Sequence, residues 1–260
     1  MSAFLVVGLA AFGVSLLTLF SGFGLGTLLM PAFALFFPVE VAVASTAVVH
    51  ACNNLFKVGL LAGGAARPVV VRFGIPAVGA SFLGALALAS LSDLPALASW
   101  SPLGREADVT PVKLVMGLLI LGFSLFELVP ALRTVRAPAR WLPLGGALSG
   151  FFGGLSGHQG ALRAVFLAPL GLSPTQFVST QAVLALLVDA ARLLVYGWSL
   201  ALAGGAGAIP WRLVATATLC AFLGAYFGKR LLPGVTVEAL RLLVGALLLV
   251  VGVALCLGIA

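Results

Sequence analysis

Charged residues are scarce in this chain, and no polar stretch is long enough to form a soluble domain. Only 8% of the 260 residues are charged and 62% are hydrophobic, whereas about a quarter of a typical soluble domain is charged. Apolar runs recur from end to end, as at 114–129, 213–228 and 240–259. Runs of this length suit the roughly 30 Å core of a bilayer. The composition therefore predicts an all-α polytopic membrane protein with about 8–10 hydrophobic helical segments.

The sequence motifs of several other protein classes are also missing. Cys52, Cys220 and Cys256 are isolated in apolar segments and match no metal or redox spacing, so we expect no metal and no cofactor. There is no GxxxxGK[ST] loop for ATP, and no HExxH, GxSxG or paired glutamates to indicate an intramembrane enzyme. The net charge is +7, but the basic residues lie in short loops, where they orient a membrane protein rather than bind nucleic acid. The first residues, MSAFLVV, contain no basic stretch, and we expect no cleaved signal peptide.

The two halves of the chain begin alike. Residues 21–46 read SGFGLGTLLMPAFALFFPVEVAVAST, and residues 149–180 read SGFFGGLSGHQGALRAVFLAPLGLSPTQFVST. Both stretches run from Ser-Gly-Phe through a glycine cluster and two prolines to Ser-Thr at the start of a long helix. The pattern predicts an internal duplication, and weak internal symmetry is typical of transporter folds.

The duplication divides the chain into two membrane repeats with a basic linker between them. The first repeat, residues 1–130, contains a hairpin at 3–37 and helices at 41–62, 69–91 and 111–130. A basic cytoplasmic linker at 131–141 leads to the second repeat, residues 142–260, with a hairpin at 142–171 and helices at 175–196, 211–228 and 238–259. If each glycine-broken pair is a hairpin, all three basic loops lie in the cytoplasm, as basic loops prefer. The two repeats are then inverted, and both termini are periplasmic.

The glycine clusters are predicted to interrupt helices at membrane depth. Residues Phe4–Phe37 would form a single helix of about 51 Å, which is too long for one crossing. A break in the backbone is tolerated in a membrane only if it is buried in protein or lines a wet cavity. Close helix packing is the alternative role of glycine, and it is the one we assign to Gly79, Gly84 and Gly117. For the two duplicated clusters we expect breaks that meet at mid-depth, where half-helix N-termini attract an anion.

Polar residues at membrane depth are costly, and they usually mark a transport pathway. The predicted substrate-binding residues are Ser21, Gly22, Gly24, Gly26, Thr27, His50, Asn53, Asn54, Ser156, Gly157, His158, Gln159, Arg163 and Gln181. The predicted residues for proton or ion coupling are His50, Lys57, His158, Asp189 and Arg192. Simpler readings stay open: Asp189 and Arg192 as an ion pair, Lys57 as a side chain that reaches a helix end, and both histidines as satisfied buried groups.

These stretches resemble one known family, the TauE/SafE sulfite exporters, also called 4-toluene sulfonate uptake permeases. The resemblance covers nearly the whole chain and rests on residues 21–46 and 149–180. The glycines and proline of the family's first element match Gly22, Gly24, Gly26 and Pro31; those of the second match Gly150, Gly153, Gly154, Gly157, Gly160 and Pro169. The stretches HACNNLFKV at 50–58 and GHQGALR at 157–163 are more polar than is usual in the family.

The resemblance implies a secondary active transporter that moves a small anion across the bacterial inner membrane. The expected solute contains sulfur, such as sulfite or a sulfonate, and the expected mechanism is alternating access at a midplane site. An anion channel is the alternative, and an intramembrane enzyme is a weaker one. The expected partners are the anionic solute and the lipid bilayer. A proton or sodium ion for coupling and a homodimer stay open, and no nucleic acid is expected.

Overall fold

The structure is a computed structural model, and it describes residues 2–21, 25–60, 64–101, 106–202, 208–231 and 237–259. Within these residues the fold is almost entirely helical, as the sequence predicts. The helices are α1 (Ala3–Ser21), α2 (Gly26–Ala34), α3 (Val39–Leu60), α4 (Arg67–Ser92), α5 (Pro111–Leu128), α6 (Pro130–Arg133), α7 (Leu142–Ser156), α8 (Gly160–Leu167), α9 (Pro174–Leu202), α10 (Trp211–Leu231) and α11 (Val237–Cys256). Two short strands, β1 (Ala98–Trp100) and β2 (Ala107–Val109), pair antiparallel between α4 and α5.

Large apolar side chains are exposed on the outside of the bundle, and a group of polar side chains is buried inside it. In the part of the chain that the structure describes, five helices are long and apolar enough to cross a membrane: α3, α4, α5, α9 and α10. Large apolar side chains such as Ile75, Leu118 and Leu219 are exposed. In contrast, some polar and charged side chains are buried among the helices, including His50, Lys57, Arg163, Asp189 and Arg192. A soluble protein has the reverse distribution, so this one is built for lipid.

Helices α4 and α7, from different halves of the chain, pack along each other with their backbones in contact. Gly146 near the start of α7 lies against the Phe73 carbonyl, and Gly154 near its end lies against the Ser81 carbonyl. Because the residue numbers of the contacting positions rise together along both helices, α4 and α7 run in the same direction. A glycine every fourth residue gives α7 one smooth face, which allows this close approach.

Helices α1 and α10 pack in the same way. Gly224 lies against the Phe12 carbonyl and Gly228 against the Leu16 carbonyl, so these two helices also run in the same direction. The first helix of each half therefore packs on a long helix of the other half: α1 packs on α10, and α7 packs on α4.

Two other helix pairs that join the halves, α3–α9 and α5–α11, run antiparallel. On α3 and α9, His50 lies opposite Asp189, and Ala66, just after the described end of α3, donates its N–H to Thr180 near the start of α9. On α5 and α11, the Ser124 hydroxyl donates to the Gly245 carbonyl at 3.0 Å, whereas Gly117, earlier on α5, lies against the Gly252 carbonyl, later on α11. Equivalent helices that run antiparallel are what two inverted halves would produce.

The contacts place the three basic segments at one end of the bundle, which we name the basic end. Helix α4 begins there at Arg67, α7 begins there just after Arg140, and α11 begins there after the basic residues that end α10. The opposite end, named the far end, contains the β1–β2 hairpin and the C-terminus. There the Trp100 indole N–H donates to the Leu257 carbonyl at 2.8 Å. Because α1 runs parallel to α10, the N-terminus also lies at the far end.

Both broken pairs form hairpins that return to the end at which they start. The Ala137 N–H, just before α7, donates to the Val165 carbonyl in α8 at 3.2 Å, so the α7–α8 hairpin begins and ends at the basic end. The α1–α2 hairpin begins at the far end, and Phe37, just after α2, shares a cavity there with Lys113 at the start of α5. The two hairpins thus enter the bundle from opposite ends.

Candidate functional site

The tips of the two hairpins meet in the middle of the bundle. A Cβ placed on Gly26, the first residue of α2, would lie 3.2 Å from the carbonyl oxygen of Gly157, just after α7. The same Cβ would lie 3.7 Å from the Thr46 methyl group on α3. The breaks are therefore in contact with each other and with α3, buried in protein as a break at membrane depth must be.

Gly157 has two physical reasons to be glycine. Its φ angle is +80°, a left-handed conformation that side chains rarely adopt. A Cβ at this position would also lie 2.7 Å from Nη1 of Arg192 on α9. The same guanidinium nitrogen donates to the Gly153 carbonyl at 3.3 Å. The end of α7 is thus capped by a buried arginine, which can approach because the tip has no side chain.

The centre of the site is a buried carboxylate, Asp189 on α9. One of its oxygens lies 2.6 Å from Nδ1 of His50 on α3 and accepts from the Asn54 amide at 3.3 Å. The other oxygen accepts from Nη2 and Nε of Arg192 at 2.7 and 3.0 Å. Because α3 and α9 belong to different halves, this network joins the halves at mid-depth.

Helical spacing explains why these side chains converge. His50, Asn54 and Lys57 follow one another at intervals of four and three residues, which places them on one face of α3. Asp189 and Arg192 are three residues apart on α9, and all five side chains are buried. The sequence analysis predicted both sets. The open question of an ion pair is answered in part, since Asp189 does pair with Arg192, but it also contacts His50 across the interface between the halves.

The α8 arm of the second hairpin adds a second group of polar side chains toward the basic end. Arg163 donates from Nη1 to the carbonyl of Gln181 on α9 at 2.5 Å, and its Nε has no hydrogen-bond partner among the described residues. Neither amide atom of Gln159 has a described partner, nor does the side-chain nitrogen of Gln181. Buried donors without partners are costly, and a ligand with acceptor oxygens would satisfy them.

Two predicted residues point away from the Asp189 network. Asn53 accepts from the Ser15 hydroxyl on α1 at 3.3 Å, so it faces the first hairpin rather than α9. His158 stacks on Phe123 of α5, with ring centroids 5.5 Å apart and an angle of 12° between the rings. The two histidines, which the sequence analysis treated alike, therefore lie in different surroundings.

Four predicted residues belong to the turn of the first hairpin and its edges. Gly22 and Gly24 lie outside the described residues. Ser21 ends α1 and Thr27 follows the first residue of α2, but only their backbone is described. In the second hairpin, Ser156 is the last residue of α7, and its hydroxyl donates to the Phe152 carbonyl at 3.0 Å. The roles of these residues in binding stay predictions.

Tyr196 is the site residue that the sequence analysis missed. It is buried on α9, and its hydroxyl donates to the carbonyl of Gly154 on α7. It also forms part of the wall of a cavity of about 340 Å³ at the far end, together with Glu40 and Asp93. Tyr196 thus separates this cavity from Arg192, one turn deeper. Its spacing of four residues from Arg192 was a readable signal, since it continues the face that begins at Asp189.

Exposed apolar side chains, two hairpins whose tips meet inside the bundle, and charged side chains enclosed between the helices have the form of a multi-pass membrane transporter. The chain matches the family described as Sulfite exporter TauE/SafE over residues 7–255, nearly its whole length, and it belongs to that family. The predicted resemblance is therefore confirmed. Members of this family are membrane transporters of sulfur-containing anions and not enzymes. In comparisons with curated proteins and with solved structures, no significant match was found.

Proposed function

We propose that this protein is a secondary transporter that moves a small sulfur-containing anion by alternating access at the meeting point of the two hairpins. The anion leaves its hydration shell and takes donors from α3, α8 and α9 in its place. The two hairpins, which enter from opposite ends, expose this site to one side of the membrane at a time.

The observation that carries the proposal is an excess of buried positive charge at the site. The α3, α8 and α9 faces contribute Lys57, Arg163 and Arg192 but only one carboxylate, Asp189. The other buried carboxylate among the described residues, Glu127, lies on α5 beside α11. Charges buried at membrane depth cost about 2.5–3.5 kcal/mol each on insertion scales. An anion bound between them would offset part of that cost.

The experiment is solute counterflow with the purified protein in liposomes. Vesicles loaded with unlabelled sulfite should accumulate labelled sulfite, and the initial rate should saturate as sulfite increases. Arg163→Gln should abolish counterflow and anion binding. Arg212→Gln, at an exposed position at the start of α10, is the matched control and should transport normally. A flux that rises linearly without counterflow would indicate an anion channel instead of a carrier.

We further propose that the two halves are inverted repeats, with the basic end in the cytoplasm and both termini in the periplasm of a bacterial inner membrane. The antiparallel α3–α9 and α5–α11 pairs support this, as does the collection of basic segments at one end. Reporter fusions at residues 136 and 234 should both give a cytoplasmic signal. A periplasmic signal at either position would reject this topology.

Coupling to a proton is proposed at His50. Its ring joins the halves through Asp189, and histidine is the side chain whose charge changes most readily near neutral pH. An imposed pH gradient should therefore change the rate of sulfite transport in the wild type and not in His50→Gln. Transport by the wild type that ignores a pH gradient would reject proton coupling, and a sodium gradient would then be the driving force to test.

A further inference from the structure

Two buried cations of the site have no carboxylate partner among the described residues. Lys57 on α3 is 6% exposed and Arg163 on α8 is 2% exposed. The whole chain contains only seven Asp and Glu residues. Of these, Asp189 is already held by His50 and Arg192. Arg163 donates to one carbonyl group, and its Nε remains without a described partner.

Helix geometry places the two cations at one depth. His50 lies opposite Asp189, and α3 and α9 run antiparallel. Lys57 is seven residues beyond His50, and Gln181 is eight residues before Asp189, so both lie about 10–12 Å closer to the basic end at 1.5 Å per residue. Arg163 contacts the Gln181 carbonyl and therefore shares this depth. We name Lys57, Arg163 and Gln181 the inner cation layer.

From this arrangement we infer that the inner cation layer binds a divalent anion, with Lys57 and Arg163 as its two counter-charges; the inference rests on the proposed anion transport. A monovalent anion would leave one buried cation without a counter-charge, and a divalent anion neutralises both. The unpartnered side-chain nitrogen of Gln181 and the Arg163 Nε are donors that suit acceptor oxygens. The Asp189 network closes the layer on the side of the far end.

The test compares anions that are similar in size and differ in charge. In the first pair, sulfate carries both negative charges on one compact group, and methanesulfonate is its monovalent partner. In the second pair, sulfoacetate carries its two charges at opposite ends of the molecule, and ethanesulfonate is its monovalent partner. Binding to the purified full chain is measured by calorimetry at pH 8 and fixed ionic strength. The divalent member of at least one pair should bind at least about tenfold more tightly than its monovalent partner, and the pair that shows this preference identifies the charge spacing.

Lys57 supplies the variants that connect the preference to the layer. Lys57→Met should reduce the divalent-to-monovalent affinity ratio to near one, because affinity for the divalent anion falls more than affinity for the monovalent one. Lys57→Arg retains the charge and should keep the preference. The melting temperature of the empty Lys57→Met protein should not fall, since an unpaired buried charge has been removed.

Tighter or equal binding of the monovalent anions by the wild type would overturn the inference and leave the proposed function intact. An unchanged affinity ratio in Lys57→Met would also overturn it, because Lys57 would then not be a counter-charge. If none of the four anions bound, the inference would fail, and sulfite counterflow would decide the proposed function separately.

Discussion

The hairpin tip at Gly157 offers the sharpest test of how this site is built. Replacement by alanine has two separable costs. The left-handed backbone costs a side-chain-bearing residue about 1–2 kcal/mol. The new methyl group would also lie 2.7 Å from Arg192 Nη1, so the guanidinium must move away from the Gly153 carbonyl that it contacts at 3.3 Å. Loss of a hydrogen bond from a charged group costs about 1.5–3 kcal/mol more.

Gly171 is a control that isolates the first cost. Its φ angle is +65°, and a Cβ there would meet nothing within 4 Å. Gly171→Ala should therefore lower the free energy of unfolding by about 1–2 kcal/mol, and the total for Gly157→Ala should be about 2.5–5 kcal/mol. At roughly 2–4 °C per kcal/mol for a chain of about this size, the melting temperatures should fall by about 2–8 °C and about 5–20 °C, respectively.

Transport separates the two variants further. Arg192 holds Asp189, which contacts His50 in the other half, so a displaced guanidinium disturbs the network at the point where the halves meet. We expect Gly157→Ala to lose most sulfite counterflow and Gly171→Ala to retain it. Equal losses of stability and transport in the two variants would refute the reasoning, because only backbone strain would then matter at the tip.

Three further changes test the contacts around the tip. Asp189→Asn leaves a buried arginine without its carboxylate and should cost about 3–5 kcal/mol, and it should abolish transport; a wild-type melting curve would contradict this. Tyr196→Phe removes the hydroxyl that donates to Gly154 and should lower the unfolding free energy by about 0.5–1.5 kcal/mol in a thermal melt. Gly150→Ala would overlap the backbone of α4 and should destabilise by about 1–3 kcal/mol. Its control, Gly79→Ala, has free space around it and should be neutral or stabilising in the same assay.

The course of the chain was largely predictable from hydrophobicity and charge. The long apolar runs predicted a chain built of hydrophobic helices, because a bilayer demands a minimum helix length. The short strands β1 and β2 were not predicted, since three-residue strands have no periodic signal of their own. Nor did the sequence indicate which helices pair. The tetrapeptide FLGA occurs at 82–85 and at 222–225, and it marks the glycine faces of α4 and α10, although it does not identify their partners.

The break in the second half lies later than the likeness between the two halves suggested. The whole glycine cluster from Ser149 onward was predicted to interrupt the helix, but α7 is continuous to Ser156 and opens only at Gly157. The glycines within α7 serve packing instead, because Gly146 and Gly154 touch the α4 backbone. Glycine is used for both purposes in membranes. The glycines that pack on α4 recur every four residues, at Gly146, Gly150 and Gly154. Gly157 follows Gly154 by only three residues and therefore lies outside that packing face.

Glycine packing outside the hairpins was predicted correctly at two of three positions. Gly84 lies against α7 and Gly117 against α11, whereas a Cβ on Gly79 would meet nothing within 4 Å. Whether a single glycine is buried depends on which face of its helix packs against a neighbour. The sequence of a helix that is apolar on all sides does not show which face that is. For the same reason the opposite directions of His158 and His50 could not be predicted.

The charges of the site do not follow the repeat of the backbone. The equivalent helices α3 and α9 carry His50 and Lys57 on one side and Asp189 and Arg192 on the other. In the proposed alternating-access mechanism, a related backbone in both halves would allow the two hairpins to exchange exposure of one site, since each arrangement would have a counterpart of similar energy. Because α3 and α9 carry different charged residues, the basic-end side and the far-end side of the site are not equivalent. Because Lys57 and Arg163 both lie toward the basic end, we expect the proposed site to hold an anion more strongly on that side of the Asp189 network.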